Sequence, residues 1–366
     1  MRHEARFVVD THAHITTLYQ PAGEKSLELA RKGLWNGLNG ELQPFDNSPL
    51  TLYDMQRYGV DMCILKPSII GTTNEMQAML VDKYPDKFRA MCSDQKLKIK
   101  VWREEAVWNL DAAVDEVEAA LKTGKFVGIG EFVPGGMQMK RDQRPDFAER
   151  LEEFRAFMEL ARKYGVTIDF HEMSCGYEWD SFQLLGRLAM EYPDVPIILC
   201  HGGGHEDSTI KRACGIAGRA QNVYLETGSW SAEQYFMALD DPNVGPIQLI
   251  WGHDYGNVPQ YMTRPPGGDS RAARPPFFMK RWPRVPYYQT DWWGWSLHQI
   301  HRLKDWGVTQ DEINLILGGN AARIFKLPVP HPRMFPEGRP DLYGIDWEKS
   351  VPFLPDNQIL NPDPKP

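Results

Sequence analysis

The segment 7-FVVDTHAH-14 opens with apolar and β-branched residues and closes on two histidines. Its first half reads as a strand buried on both faces, and its second half as that strand's polar end. Seven further segments share this form: 60-VDMCILKP-67, 88-FRAMCS-93, 126-FVGIGEF-132, 166-VTIDFHE-172, 196-PIILCHGG-203, 222-NVYLETGS-229 and 249-LIWGHDYG-256. Between them lie amphipathic stretches such as 110-LDAAVDEVEAALKTG-124 and 150-RLEEFRAFMELARKYG-165. Each of these ends at glycine, which suits the residue just past a helix. Strands alternating with helices pair in parallel, and eight such units predict a closed (β/α)8 barrel. The competing arrangement is an open doubly wound sheet, but no GxGxxG or phosphate-binding loop follows the first strand.

Composition sets the surroundings of that barrel. Of the 366 residues, 42% are hydrophobic and 25% charged, as in ordinary globular proteins. The net charge of -8 disfavours nucleic acid or an anionic membrane as a partner. No apolar run approaches the roughly 20 residues that span a bilayer, and the N-terminal stretch lacks the apolar core of a secretory signal. The cysteines (Cys63, Cys92, Cys175, Cys200 and Cys214) are odd in number and scattered, so buried thiols and a cytoplasmic location are expected. Residues 1–326 read as the barrel and 327–366 as a Pro-rich extension packed on it. Within the barrel, a long Gly-rich stretch precedes the helix-like 50-LTLYDMQRYG-59, and an insertion at about 256–296 is rich in proline and aromatics. Its Trp292, Trp293 and Trp295 exceed what an exposed loop carries. The insertion is therefore expected to close the pocket and to meet a second copy of the chain, as a homodimer or higher homo-oligomer.

The chemistry-bearing residues stand at the C-terminal ends of these strands, which converge on one mouth in a (β/α)8 barrel. Strand one ends Asp10-Thr11-His12-Ala13-His14, strand four at Glu131, strand five at His171, strand six at His201, and strand eight at His253-Asp254. His12 and His14 are two residues apart on a strand and so point to one side. Two imidazoles aimed into a barrel mouth are costly to bury unpartnered. A divalent cation takes both, along with a third imidazole and a carboxylate. Such a donor set suits Zn²⁺, with Mn²⁺, Fe²⁺ or Co²⁺ also accommodated, and leaves a position open for water.

In combination these residues resemble the amidohydrolase superfamily: D-x-H-x-H at Asp10–His14, single histidines ending strands five and six, glycines 202–204 after His201, and the aspartate of 251-WGHDYG-256. Within it the sequence is similar to the branch typified by 2-amino-3-carboxymuconate-6-semialdehyde decarboxylase. There 81-VDKYPDKFRAMC-92 resembles the lead-in to strand three, and 316-ILGGNAARIFKL-327 the closing helix with its G-N-A-x-R-x-F signature. The resemblance implies one metal ion, zinc foremost, on His12, His14, His171 and Asp254, with His201 the catalytic histidine and Asp254 a proton shuttle. It implies a non-oxidative decarboxylase of a small aromatic or ring-cleavage-derived acid. Hydrolysis of an amide, lactone or C–C bond in a small cyclic substrate is the alternative on the same machinery. A barrel that binds without catalysis would show a lost ligand, and this one has none. Arg31 lies in the loop where that branch holds a substrate carboxylate. Lys66 either binds an anionic substrate group or pairs with an acid. Glu131 is expected as a hydrogen-bonding carboxylate, the alternative being a ligand to a second metal. His205, His253 and Tyr255 are candidates to line the pocket.

Overall fold

Eight short strands, nearly all of whose residues are buried, form one parallel sheet in the computed structural model. It describes residues 7–19, 43–46, 48–67, 72–102, 105–132, 147–171, 180–204, 206–228, 230–254 and 292–328. The strands are β1 (Val9–Ala13), β2 (Met62–Leu65), β3 (Phe88–Cys92), β4 (Phe126–Phe132), β5 (Thr167–Phe170), β6 (Ile197–Leu199), β7 (Val223–Glu226) and β8 (Leu249–Ile250). Each pairs in parallel with its sequence neighbour, and helices alternate with them, which makes this a (β/α)8 barrel. A small antiparallel pair, Thr16–Tyr19 with Gln43–Asp46, is added beyond β1.

Helices end where the sequence places glycine. Ser48–Tyr58 is followed by Gly59 at φ 70°, and Phe147–Tyr164 by Gly165 at φ 62°. Leu110–Leu121 likewise runs out at Gly124, φ 71°. These left-handed turns cost residues with a Cβ more than glycine.

The seam between β8 and β1 is closed just past the last strand. Thr11 donates to the Trp251 carbonyl through both its backbone N–H (3.0 Å) and its hydroxyl (2.9 Å). Trp251 N–H in turn donates to Ile316 O at 2.9 Å. The Asn320 amide reaches Pro246 O and Leu249 O, at 2.7 and 2.8 Å. The glycines of 316-ILGGNAARIFKL-327 let this helical segment press on β1. A Cβ on Gly318 would lie 1.7 Å from Phe7 O.

Inside the barrel, character changes with height. Ile64, Ile198 and Tyr224 belong to an inner apolar cluster with Val9, Met62 and Ile250. Two residues farther along the same strands, on the same side, stand Lys66, Cys200 and Glu226, all buried. The lower interior is thus a packed plug and the upper interior is charged.

The outlying segments are described only in part. A helix, Trp292–Arg302, occupies the end of the stretch read as an insertion. Its Trp293 is buried within this chain, packing edge-on to Tyr58 with ring centroids 6.4 Å apart. Most of the insertion and the extension past residue 328 lie outside the described residues. Among the described residues no helix is long and apolar enough to cross a membrane.

The seam geometry predicts a contrast between two glycines. Gly318→Ala forces backbone apart and should cost about 1–3 kcal/mol in denaturant unfolding. Gly186→Ala, in the helix Asp180–Glu191 with open space around it, should gain about 0.5–1 kcal/mol. Equal effects at both sites would refute this account of the closing helix.

Candidate metal centre at the barrel mouth

His12 and His14 leave β1 with their rings edge to face, and their Nε2 atoms stand 3.0 Å apart. Both other ring nitrogens are committed. His12 Nδ1 lies 2.7 Å from Glu226 Oε2, and His14 Nδ1 lies 3.2 Å from the Lys66 carbonyl oxygen. A carboxylate and a carbonyl can only accept, so each Nδ1 carries a hydrogen, and in a neutral ring Nε2 is left as the acceptor that a proton or a metal ion takes. Carboxylates converge on the same point. Asp254 Oδ1 is 3.1 Å from His14 Nε2 and 3.5 Å from His12 Nε2. Glu131 Oε2 is 3.5 and 3.8 Å from His12 and His14 Nε2. Donor atoms of His12, His14 and Asp254 all lie within 4.8 Å of one another, and so do those of His12, Glu131 and His201.

With both rings neutral, two lone pairs 3.0 Å apart, ringed by carboxylate oxygens, repel one another unless a proton or a metal ion lies between them. Burial and the Lys66 charge oppose protonation of His12, yet Glu131, Glu226 and Asp254 outweigh them and raise its pKa well above the usual value. Burial also works against the carboxylates, but the facing histidines, His12 first, hold Glu131 well below the ordinary range and Glu226 at about 2. Asp254 is lowered in the same way, by His12 and His14. Donor types, convergence and demand for positive charge all fit a divalent cation.

His201 and His171 flank this cluster. At His201 the chain turns with φ 52°, and Gly202 follows at φ 59°. A Cβ on Gly202 would fall 1.9 Å from the Trp230 ring, whose Nε1 donates to His201 O at 3.0 Å. The glycine run after His201 is thus required for the indole to hold this turn. The His201 ring centroid is 5.0 Å from that of His12 and 5.5 Å from that of His171. His171 Nε2 faces Glu131 Oε1 at 3.6 Å, at the edge of the group rather than within it. Asp254 also sits at positive φ, 54°. Two site residues therefore hold strained backbone, as reactive positions often do.

The other sequence candidates fall in different places. Lys66 lies beneath the cluster with no exposed side-chain area, its Nζ 2.7 Å from Asp169 Oδ2 and donating to Cys200 Sγ at 2.9 Å. Of its two expected roles, this geometry is the pairing with an acid. Glu131 makes no hydrogen bond through its buried Oε1 among the described residues. Both its oxygens turn toward histidines, Oε2 to His12 and His14 and Oε1 to His171. His253 is buried against Trp295, with ring centroids 5.8 Å apart, and burial pushes its pKa down to about 3, so the ring is neutral. Arg31, His205 and Tyr255 lie outside the described residues.

Asp10 was named in the first-strand motif without a role, and Glu226 and Asp169 were not singled out from sequence. Asp10 accepts from the backbone N–H groups of His12 (2.9 Å) and His253 (3.1 Å) and from Trp293 Nε1 (2.5 Å), so it ties the seam to the mouth. Burial lifts its pKa to about 7 against the hydrogen bonds from Trp293 and the His12 backbone. Glu226 orients His12, and Asp169 holds Lys66. The available signal was a lone acid at the end of strand seven, in 222-NVYLETGS-229, and another inside the apolar strand 166-VTIDFHE-172.

The family profile described as Amidohydrolase matches residues 9–327, from the start of β1 to just past the last helix, Asn320–Ile324. Curated proteins supply no match. Among solved structures the chain is similar to 4-oxalomesaconate hydratase from Rhodopseudomonas palustris, at 17% identity and TM-score 0.51, over 87% of this chain and 96% of that one. It is similar to an amidohydrolase from Burkholderia multivorans with bound zinc, at 13% identity and TM-score 0.51, over 88% and 100%. It is also similar to the phosphotriesterase homology protein from Escherichia coli, with phosphate in its active site, at 13% identity and TM-score 0.52, over 88% and 98%. At such identities the likeness concerns the fold, and the match does not single out the decarboxylase branch. The profile match across the whole barrel makes this chain a member of the amidohydrolase family.

Proposed function

We propose that the chain is a metal-dependent hydrolase of a small, uncharged cyclic substrate, an amide or a lactone. The observation that carries the metal is the pair of Nε2 lone pairs 3.0 Å apart, faced by Asp254 and Glu131. His12, His14 and Asp254 would hold the ion, with Glu131 beside them and His171 the next donor. Bound there, a divalent ion supplies Lewis acidity, polarising a substrate carbonyl and lowering the pKa of water toward about 7. Asp254 takes up a proton at its carboxylate, positioned by the His14 contact. The His201 ring, set by the strained turn beside the cluster, passes a proton to the leaving atom or steadies developing negative charge.

The preference for a neutral substrate comes from charge. Besides Asp10 at the seam, the buried acids Glu131, Asp169, Glu226 and Asp254 would face Lys66 and one divalent ion. Fully ionised, they leave one negative charge in excess, which repels a carboxylate substrate. Lys66 does not offset this from the substrate side, because its ammonium is engaged by Asp169. Decarboxylation is the second reading, supported by the sequence resemblance, and it requires a further cation such as Arg31. The names of the similar structures, a hydratase and a zinc-bearing amidohydrolase among them, accord with addition of water.

Three outcomes are expected. Purified protein should carry about one equivalent of divalent metal, and His12→Ala or Asp254→Ala should lose it along with activity. Full metal content in a His12→Ala, His14→Ala double variant would sink the assignment. His201→Ala should keep the metal while kcat falls roughly 10²–10⁴-fold; a metal-free variant would make His201 a ligand. With neutral lactones and amides in ¹⁸O-water, one labelled oxygen should enter the acid product. Release of CO₂ from an aromatic acid, with lactones and amides untouched, would establish the decarboxylase reading instead.

A further inference from the structure

Below the cluster lies a second set of buried groups that the proposed reaction does not use: Glu226 on β7, Lys66 after β2, Asp169 on β5 and Cys200 after β6. Glu226 is their point of contact with the mouth. Its Oε2 lies 2.7 Å from His12 Nδ1, accepts from the backbone N–H of His201 at 3.3 Å, and stands 3.8 Å from Lys66 Nζ. The carboxylate fills a slot kept open by two glycines. A Cβ on Gly252 would come within 2.5 Å of Glu226 Oε1, and one on Gly228 within 2.9 Å. Lys66 is anchored on its far side by Asp169, at 2.7 Å, and by Cys200. Its backbone carbonyl takes the Nδ1 hydrogen of His14.

We infer that Glu226 is a positioning residue for the metal centre. Resting on the metal reading above, it fixes the tautomer and aim of His12 through Nδ1 and ties the His201 turn to the same carboxylate. Lys66 completes the device from two sides, its ammonium steadying Glu226 and its carbonyl holding His14. The two histidines at the end of β1 are therefore aimed from β7 and from the end of β2 rather than by their own strand. A histidine with its second nitrogen held by a carboxylate binds metal tighter, because its orientation is prepaid and its basicity raised, and loss of such a partner typically weakens binding ~10–100-fold.

The test is competition for Zn²⁺ between a chromophoric chelator and metal-stripped protein, read as affinity and stoichiometry apart from activity. Wild type is compared with Glu226→Gln and Glu226→Ala, each checked for fold by circular dichroism and melting. Both variants should bind one equivalent, with affinity falling ~10–100-fold in Glu226→Ala. Glu226→Gln, which keeps an acceptor for His12 Nδ1, should fall between Ala and wild type. Should Glu226→Ala fail to fold, the near-isosteric Gln variant carries the test by a measurable loss of affinity. Wild-type affinity in the folded variants overturns the positioning role while leaving the metal site intact. Equal weakening in Gln and Ala reduces Glu226 to its charge and also overturns it. A loss of stoichiometry makes Glu226 a ligand, against the proposal. No uptake by wild type defeats the metal reading itself, and this inference with it.

Discussion

Two imidazole nitrogens held 3.0 Å apart, with both of their partner nitrogens already donating, set a condition that the rest of the molecule satisfies. Such a pair stays together only if positive charge sits between the lone pairs. The mouth supplies the complement in Asp254 and Glu131, and β7 and β2 supply the contacts that keep each ring turned inward. Take away the demand for a cation, and this arrangement is a cluster of buried, mutually repelling groups with a large desolvation cost.

The barrel explains how so costly a cluster is supported. Its lower interior is apolar and packed, so the strands keep their register against the repulsion above. Asp10 links the seam to the centre: it holds the backbone of His12 on one side, that of His253 on the other, and the indole of Trp293 across the closure. Two site residues, His201 and Asp254, hold left-handed backbone, each where the chain leaves a barrel strand. Rigid scaffolding below and strain at the rim are features of one design, because the strain persists only where neighbours over-determine it.

Much of this was legible in the sequence for physical reasons. All eight strands declared themselves, since burial on both faces demands unbroken apolar runs, and glycines 59, 124 and 165 marked where helices turn out. His12, His14 and Asp254 were legible because topology gathers strand ends at one mouth. Glu226 and Asp169 were not, because an acid at a strand end reads alike whether it faces a metal, a histidine or solvent. Lys66 was left between two roles for the same reason, as its partner is set by register across strands. The Trp292–Trp295 stretch showed that its aromatics needed cover, yet composition cannot tell a partner's surface from the chain's own core, and Trp293 is covered by the latter.

The central claim is that the mouth is built around one divalent ion held by the histidines of β1 and Asp254. X-ray absorption at the zinc edge of the zinc-loaded protein addresses it most directly. The account predicts a shell of nitrogen and oxygen donors alone at about 2.0–2.1 Å, with the outer scattering of at least two imidazoles. Cys200 lies in a neighbouring group with His12 and Glu226 whose donor atoms are also within 4.8 Å of one another, so a sulfur donor is a real alternative. A scatterer at about 2.3 Å, the zinc–sulfur distance, or the absence of imidazole scattering, would contradict it.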